Sequence, residues 1–511
     1  MSRMLDKNHL ERIVYVLIAL AAMLFISWAT PWGVRIGSDS YFYLTSAESF
    51  VAGDGLFWQG SEGVLKPLNH FPPVYPLVLA FFLSFNLSLI QAANVVAILS
   101  FGMSAAQMYY LINRYSCSRL AAILGAVIWI LSPVVISISF TAMTEMLFTI
   151  FALACISVLA DHFASPCWRN FFAASGLFAL ACLTRYAGMA LLPCLIASIL
   201  LLGKGTFWKR TKQAVLFAGL GLIPYGLWSL RNFSQSNSLT NRTVFFHPIS
   251  LDDVRQLLTV LTRWYTSVVF SNYTKLLFIG CFVLFSVLAL ILLKTQRAGN
   301  VYDERNGYFL LMLGLFAGFH ILMLFISKSF FDASTQIDNR ILFPVYLVAF
   351  LTGLILFGQF LRSRWKAPIA AIFGLALIGY GRAFLPESLA LVQRYRTEGK
   401  GFFSRTMQHS LVLDFIREQE CGRVLVTNNP EVVYLHTGCA AVRIPEPYDP
   451  VTLMTNDSFS GSMDRVLTLL QEENSFLILM EPYPSYMNTE QFAPILSARE
   501  GRVLIMEPAS P

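Results

Sequence analysis

Gly37-Ser38-Asp39-Ser40-Tyr41-Phe42-Tyr43-Leu44 follows directly on an apolar block at 13–30, and the same loop closes at His70-Phe71-Pro72-Pro73-Val74-Tyr75-Pro76-Leu77. An acid just outside an apolar block, then an apolar return that opens on prolines, is the pattern of a chain that leaves a bilayer and comes back to its surface. The apolar run 71–85 is short and begins with prolines, so it reads as an interfacial or re-entrant helix rather than a span.

The remaining sequence repeats the membrane pattern. Hydrophobic residues make up 56% of the 511 and charged residues 13%, too apolar a balance for a soluble chain. Eleven uncharged blocks span or nearly span a bilayer: 13–30, 88–112, 120–144, 146–160, 171–184, 186–203, 214–230, 276–293, 308–327, 341–361 and 367–381. A crossing helix needs about 20 mainly apolar residues, so 146–160, 171–184 and 367–381 must borrow flanking positions. The first block lacks a small-residue cleavage site and more blocks follow, so it reads as a span and not a signal peptide.

Arg3, Lys7 and Arg12 place the N-terminus in the cytoplasm. Counting onward puts Arg114, Arg119, Arg169, the Lys204–Lys212 cluster, Lys294, Arg297, Arg305, Arg362, Arg364 and Lys366 on the same side. The opposite loops are longer yet carry fewer basic residues, and eleven spans export the C-terminus. The net charge of +7 is mostly this topogenic bias, with no nucleic-acid patch. The expected fold is an all-α polytopic membrane protein of about 11 transmembrane helices with a small C-terminal α/β extracytoplasmic domain.

Three parts follow: a membrane body over 1–385, a basic linker over 386–406 and a soluble domain over 407–511. In the last, Arg423–Thr427, Ala440–Ile444, Phe476–Met480 and Arg502–Met506 read as strands. Helices begin at Asn429-Pro430-Glu431 and run from Asp464 to Glu473, which predicts a small, mainly parallel sheet. The domain has no glycine-rich nucleotide motif. Most cysteines lie in or beside spans and read as small hydrophobes. Cys421 and Cys439 bracket a strand–helix unit in the exported region, where a disulfide and two free thiols are both open readings.

Ionisable groups at a membrane rim are costly, so their placement is informative. Asp39, Lys66 and His70 fall in the first outer loop. Glu145 opens the fourth block, Arg185 sits in the short connection Leu183-Thr184-Arg185-Tyr186, and Arg340 begins the tenth block in Asp338-Asn339-Arg340-Ile341-Leu342-Phe343-Pro344. All six belong to the outer face by the topology above. An acid facing cations suits transfer from a lipid phosphate. The carboxylate takes a proton from an acceptor hydroxyl, and Arg or Lys stabilises the charge growing on the departing phosphate. Tyr41, Tyr43, Tyr75 and Tyr186 would stack on sugar faces or sit at headgroup level. The bland readings stand beside these: a solvated loop acid at Asp39, a helix-capping Glu145, and arginines that only reach for headgroups. His320, inside the ninth block, reads as a hydrogen-bonded packing residue.

The order of Gly37–Leu44, Pro72-Pro73-Val74-Tyr75-Pro76, Ser132-Pro133, Thr144-Glu145, Thr184-Arg185-Tyr186, Asn339-Arg340 through Pro344, and Asn428-Asn429-Pro430-Glu431 through Gly438 resembles that of GT-C glycosyltransferases. That superfamily includes the lipid A aminoarabinose transferase and the protein O-mannosyltransferases, and the likeness covers residues 1–385. The resemblance implies a polyprenyl-phosphate-linked sugar donor, an outer-face active site in a bacterial inner membrane, and a catalytic acid in the first loop, which Asp39 fits. The expected acceptor is a glycan, lipid or protein, and Glu145, the second catalytic candidate, would position donor or acceptor or help to hold a divalent metal if one is used. Relatives often carry His or Lys directly before the Pro-Pro pair. Here Phe71 intervenes after His70, which leaves Lys66 as a substitute. Glu145 stands where relatives often have Asp. Two rivals remain, a flippase or transporter of lipid-linked sugars and a polysaccharide polymerase or ligase. The polar groups gather at one rim with no internal repeat, which favours the enzyme over the transporter.

Overall fold

The computed structural model describes residues 2–238, 244–266, 280, 304–332, 334–362, 366–448, 454–471, 475–487 and 489–506. It divides into two compact units, Met1–Ala29 with Asn69–Tyr75 and Val95–Gln393, and Thr30–Leu68 with Pro76–Asn94 and Arg394–Pro511.

The first unit is helical. Across the chain, seven described helices are long and apolar enough to cross a membrane: Leu10–Ala29, Leu89–Ser116, Glu145–Ala164, Phe207–Ser236, Glu304–Phe330, Phe343–Phe360 and Ala370–Glu398. Val74–Leu83 and Tyr186–Leu202 are shorter apolar helices, and Trp168–Thr184 is a further helix of 17 residues. The expected block 276–293, apart from Gly280, lies outside the described residues, as do Arg242, Lys275, Lys294, Arg297 and Arg364. The block 120–144 is not one straight span. It breaks into Arg119–Leu131 and Pro133–Ser139, bent by 60°. Pro133 removes a backbone donor and holds Ser132 extended, and the Ser132 hydroxyl then accepts from the Val135 N–H and pairs with the Tyr346 hydroxyl at 2.8 Å.

The Glu145–Ala164 helix is mostly buried, whereas Leu10–Ala29, Phe207–Ser236 and Ala370–Glu398 present apolar side chains outward. Outward apolar faces are what lipid requires. Small residues let helices approach: a Cβ on Gly221 would overlap the Phe178 ring. The expected linker 386–406 is helical through Glu398, in a helix that starts at Lys366 and contains Pro386. Ser388 fastens that region by donating to the Leu131 carbonyl at 2.6 Å.

In the second unit, the first loop forms a helix, Ser38–Ala52, and a short antiparallel pair, β1 (Phe57–Gln59) and β2 (Leu65–Pro67). Gly401 has φ +74° where its segment bridges Ile36, and a side chain there would strike the Ile36 carbonyl. The sheet has order β4-β3-β5-β7-β6, with β3 (Val424–Thr427), β4 (Val442–Arg443), β5 (Ser475–Met480), β6 (Phe492–Ala498) and β7 (Gly501–Met506). Among the described residues the β3–β4 and β3–β5 pairs are parallel and the β5–β7 and β6–β7 pairs antiparallel, so the sheet is mixed rather than mainly parallel. β6 carries Pro494, which interrupts its apolar residues and suits an edge strand, and sequence reading did not mark it. β5 is buried throughout because Phe476, Ile478 and Met480 face one apolar cluster and Leu477 and Leu479 the other.

Cys421 and Cys439 form a disulfide, with Cα atoms 5.2 Å apart. It closes a loop of 18 residues in sequence separation, so its removal is expected to cost about 3 kcal/mol. Thermal unfolding should shift equally for the Cys421→Ser/Cys439→Ser variant and for the reduced protein. No shift in either would show the bond to be idle.

His436 packs against Phe403, ring centroids 4.3 Å apart, and its Nε2–H donates to the Phe402 carbonyl at 2.7 Å. Burial lowers its pKa below the ordinary imidazole value, outweighing that hydrogen bond. The unfolded chain therefore takes up this proton first as pH falls. The contribution is complete above about 6.5 and is lost as pH falls through the depressed folded value. His436→Gln should flatten that slope in a stability–pH profile.

Candidate active site

Glu145 is the first residue of the Glu145–Ala164 helix and its side chain is 3% exposed. A buried carboxylate survives only with countercharge, and two arginines supply it. Arg185 lies in ion-pair contact with Glu145 Oε1, and its Nη1 donates to the Thr144 hydroxyl at 3.2 Å. Arg340 brings Nε to 3.9 Å from the same oxygen. Exposure grades outward, from 3% at Glu145 through 18% at Arg185 to 42% at Arg340. One carboxylate thus lies against two guanidiniums, of which Arg340 is the more exposed. A phosphate suits that arrangement, because a guanidinium oriented by one carboxylate keeps further N–H groups to offer another anion.

Arg185 is held here by its backbone. The helix Trp168–Thr184 ends on it in an extended conformation (φ −146°, ψ 136°), and the next five residues form a 3-10 turn. Tyr186, beside it, is pinned: its hydroxyl donates to the Asn69 carbonyl at 3.0 Å and accepts from Trp228 Nε1 at 3.2 Å. Asn69 in turn donates to the Ser236 hydroxyl at 2.9 Å. Sequence reading named Tyr186 for sugar contact but missed Asn69, Trp228 and Ser236, whose separations carry no local signal.

The other expected residues have different surroundings. Asp39 occupies the first turn of the Ser38–Ala52 helix and is half-buried, and the Gly37 N–H is capped by the Ser40 hydroxyl. Lys66 is exposed on β2 with Nζ 5.6 Å from the centre of the Trp58 ring. His70 is half-buried and edge-on to Phe71 at 4.8 Å. Tyr43 and Tyr75 are 3% and 2% exposed, so their rings are core residues and present no open face to a sugar. The structure thus brings together Glu145, Arg185 and Arg340 within the first unit. Asp39, Lys66 and Tyr43 belong to the second.

Among the described residues no group of three His, Cys, Asp or Glu side chains is placed to hold a metal. Glu145 in particular has guanidiniums where a divalent cation would need oxygen donors, so a metal does not fit there.

Residues 70–228 match the family model of dolichyl-phosphate-mannose-protein mannosyltransferases. No curated protein matches the chain by sequence. Among solved structures, ArnT from Cupriavidus metallidurans bound to undecaprenyl phosphate superposes with a TM-score of 0.60 and 14% identity, covering 96% of this chain and 97% of that one. The Archaeoglobus fulgidus oligosaccharyltransferase AglB, in complex with an inhibitory peptide and a dolichol-phosphate, gives 0.53 and 11%, covering 92% and 69%. The mycobacterial arabinofuranosyltransferase AftD gives 0.53 and 12%, covering 97% of this chain but 40% of that longer one. The chain has the fold of the GT-C membrane glycosyltransferases.

Proposed function

We propose that this protein is an integral membrane glycosyltransferase that moves a sugar from a polyprenyl-phosphate carrier to an acceptor at the outer face of a bacterial inner membrane. The observation that carries the reading is the buried Glu145 carboxylate with Arg185 and Arg340 on it, a cationic rim in a fold whose solved relatives hold undecaprenyl phosphate and dolichol-phosphate. Asp39 accepts the proton of the acceptor hydroxyl, whose oxygen attacks the anomeric carbon. The carbon–oxygen bond to the phosphate breaks with its electron pair going to the phosphate, and the anomeric centre inverts. Arg185 and Arg340 stabilise the charge that develops on the leaving polyprenyl phosphate. Glu145 acts as their orienting partner rather than as a second base. The acceptor is a lipid, glycan or protein hydroxyl.

The test is release of undecaprenyl phosphate and appearance of glycosylated acceptor, from a panel of synthetic undecaprenyl-phosphate sugars and purified protein in detergent. Transfer from any member supports the reading. Movement of lipid-linked sugar across proteoliposomes without bond-making would replace it with transport.

A further inference from the structure

The segment that carries Arg340 is an exposed turn, yet two buried side chains hold its backbone and amide. Asp338 Oδ1 accepts from the Arg340 and Ile341 N–H groups, both at 3.0 Å, which closes a local turn. Trp264, buried at the end of the outer-loop helix Leu251–Arg263, donates Nε1–H to Asn339 Oδ1 at 2.9 Å. Its ring meets Tyr346 edge-on at 5.3 Å. His320, buried in the Glu304–Phe330 helix, lies with Nε2 2.9 Å from the Ile341 carbonyl. With Nε2 as the donor, Nδ1 is an acceptor, and it has no hydrogen-bond partner among the described residues. A half-satisfied buried imidazole is a poor packing choice for an apolar helix, where leucine would serve better. Its one bond lands on the residue next to Arg340.

The geometry points to Trp264 and His320 as positioning residues that aim Arg340 at the carrier phosphate. Neither touches the phosphate. They clamp Asn339 and Ile341, the neighbours of Arg340 on both sides, so that a half-exposed arginine on a turn does not lose its orientation to backbone motion. The separations of 75 and 21 residues mean that the outer-loop helix and a membrane helix converge on one catalytic-rim turn. This rests on the assignment of Arg340 to phosphate binding above.

The test is the affinity of full-length protein in detergent for undecaprenyl phosphate alone, read as Kd. Arg340→Ala is expected to weaken it about thirtyfold and Trp264→Phe, which keeps the ring against Tyr346 but removes the donor, about fivefold. His320→Leu should match Trp264→Phe, and His320→Gln, whose amide reaches the Nε2 position, should restore binding. The double variant Arg340→Ala/Trp264→Phe should bind no worse than Arg340→Ala, because a clamp without its arginine has nothing to aim. Independent, multiplying losses would overturn the positioning role and leave Trp264 a packing residue. An undiminished affinity in Trp264→Phe would do the same. Undiminished affinity in Arg340→Ala would instead overturn the phosphate assignment, and the clamp with it.

Discussion

Asp39→Asn is expected to lower sugar transfer about a thousandfold while leaving undecaprenyl phosphate affinity nearly unchanged. The substitution keeps size and hydrogen-bonding shape but removes the basic oxygen. A general base contributes on the order of 10² to 10⁴ in rate, so the loss falls in turnover and not in carrier binding. The structural cost is small. Asp39 is in the first turn of the Ser38–Ala52 helix, where the charge contributes about 0.5 kcal/mol through the helix dipole. A single-turnover measurement with a competent donor separates the two effects. Wild-type rates in Asp39→Asn would remove this residue from the chemistry and leave it a helix-terminal acid.

Glu145→Gln is expected to act in the opposite pattern. The carboxylate is buried and shared by two arginines, so neutralising it removes an anion that both guanidiniums contact. Breaking a buried ion pair from one side costs about 3 kcal/mol or more, visible as a lowered thermal inactivation temperature in detergent. Affinity for the anionic carrier should hold or improve, because the rim gains positive charge. Turnover should still fall about a hundredfold, because Arg185 is no longer held against the Thr144–Glu145 helix start. Abolished turnover with unchanged stability would instead make Glu145 a reacting group.

The membrane body was legible because its signal is local. Each apolar block announces a helix without reference to any other, and described helices cover ten of the eleven blocks. The 60° break at Ser132-Pro133 was written in the proline, yet a single uncharged block hid it. The strands Val424–Thr427 and Ser475–Met480 stood out as short β-branched and apolar runs, whereas Phe492–Ala498 did not, since Pro494 breaks its apolar residues near the start. The long helix through Glu398 overran the expected linker because basic residues alone do not end a helix.

The candidate site was legible as residue types at a rim and illegible as partnerships. Sequence alone determined that an acid and several cations lie at the ends of apolar blocks, because burying an unpaired charge in hydrocarbon is too costly for any other placement. It could not decide that Glu145 lies against Arg185 and Arg340, that Tyr43 and Tyr75 are buried, or that Trp264 and His320 hydrogen-bond to the residues flanking Arg340. Those facts join residues tens to hundreds of positions apart. No local propensity encodes such a pairing; it exists only once helix packing brings the side chains within hydrogen-bonding range, where desolvation makes each charge depend on its neighbour.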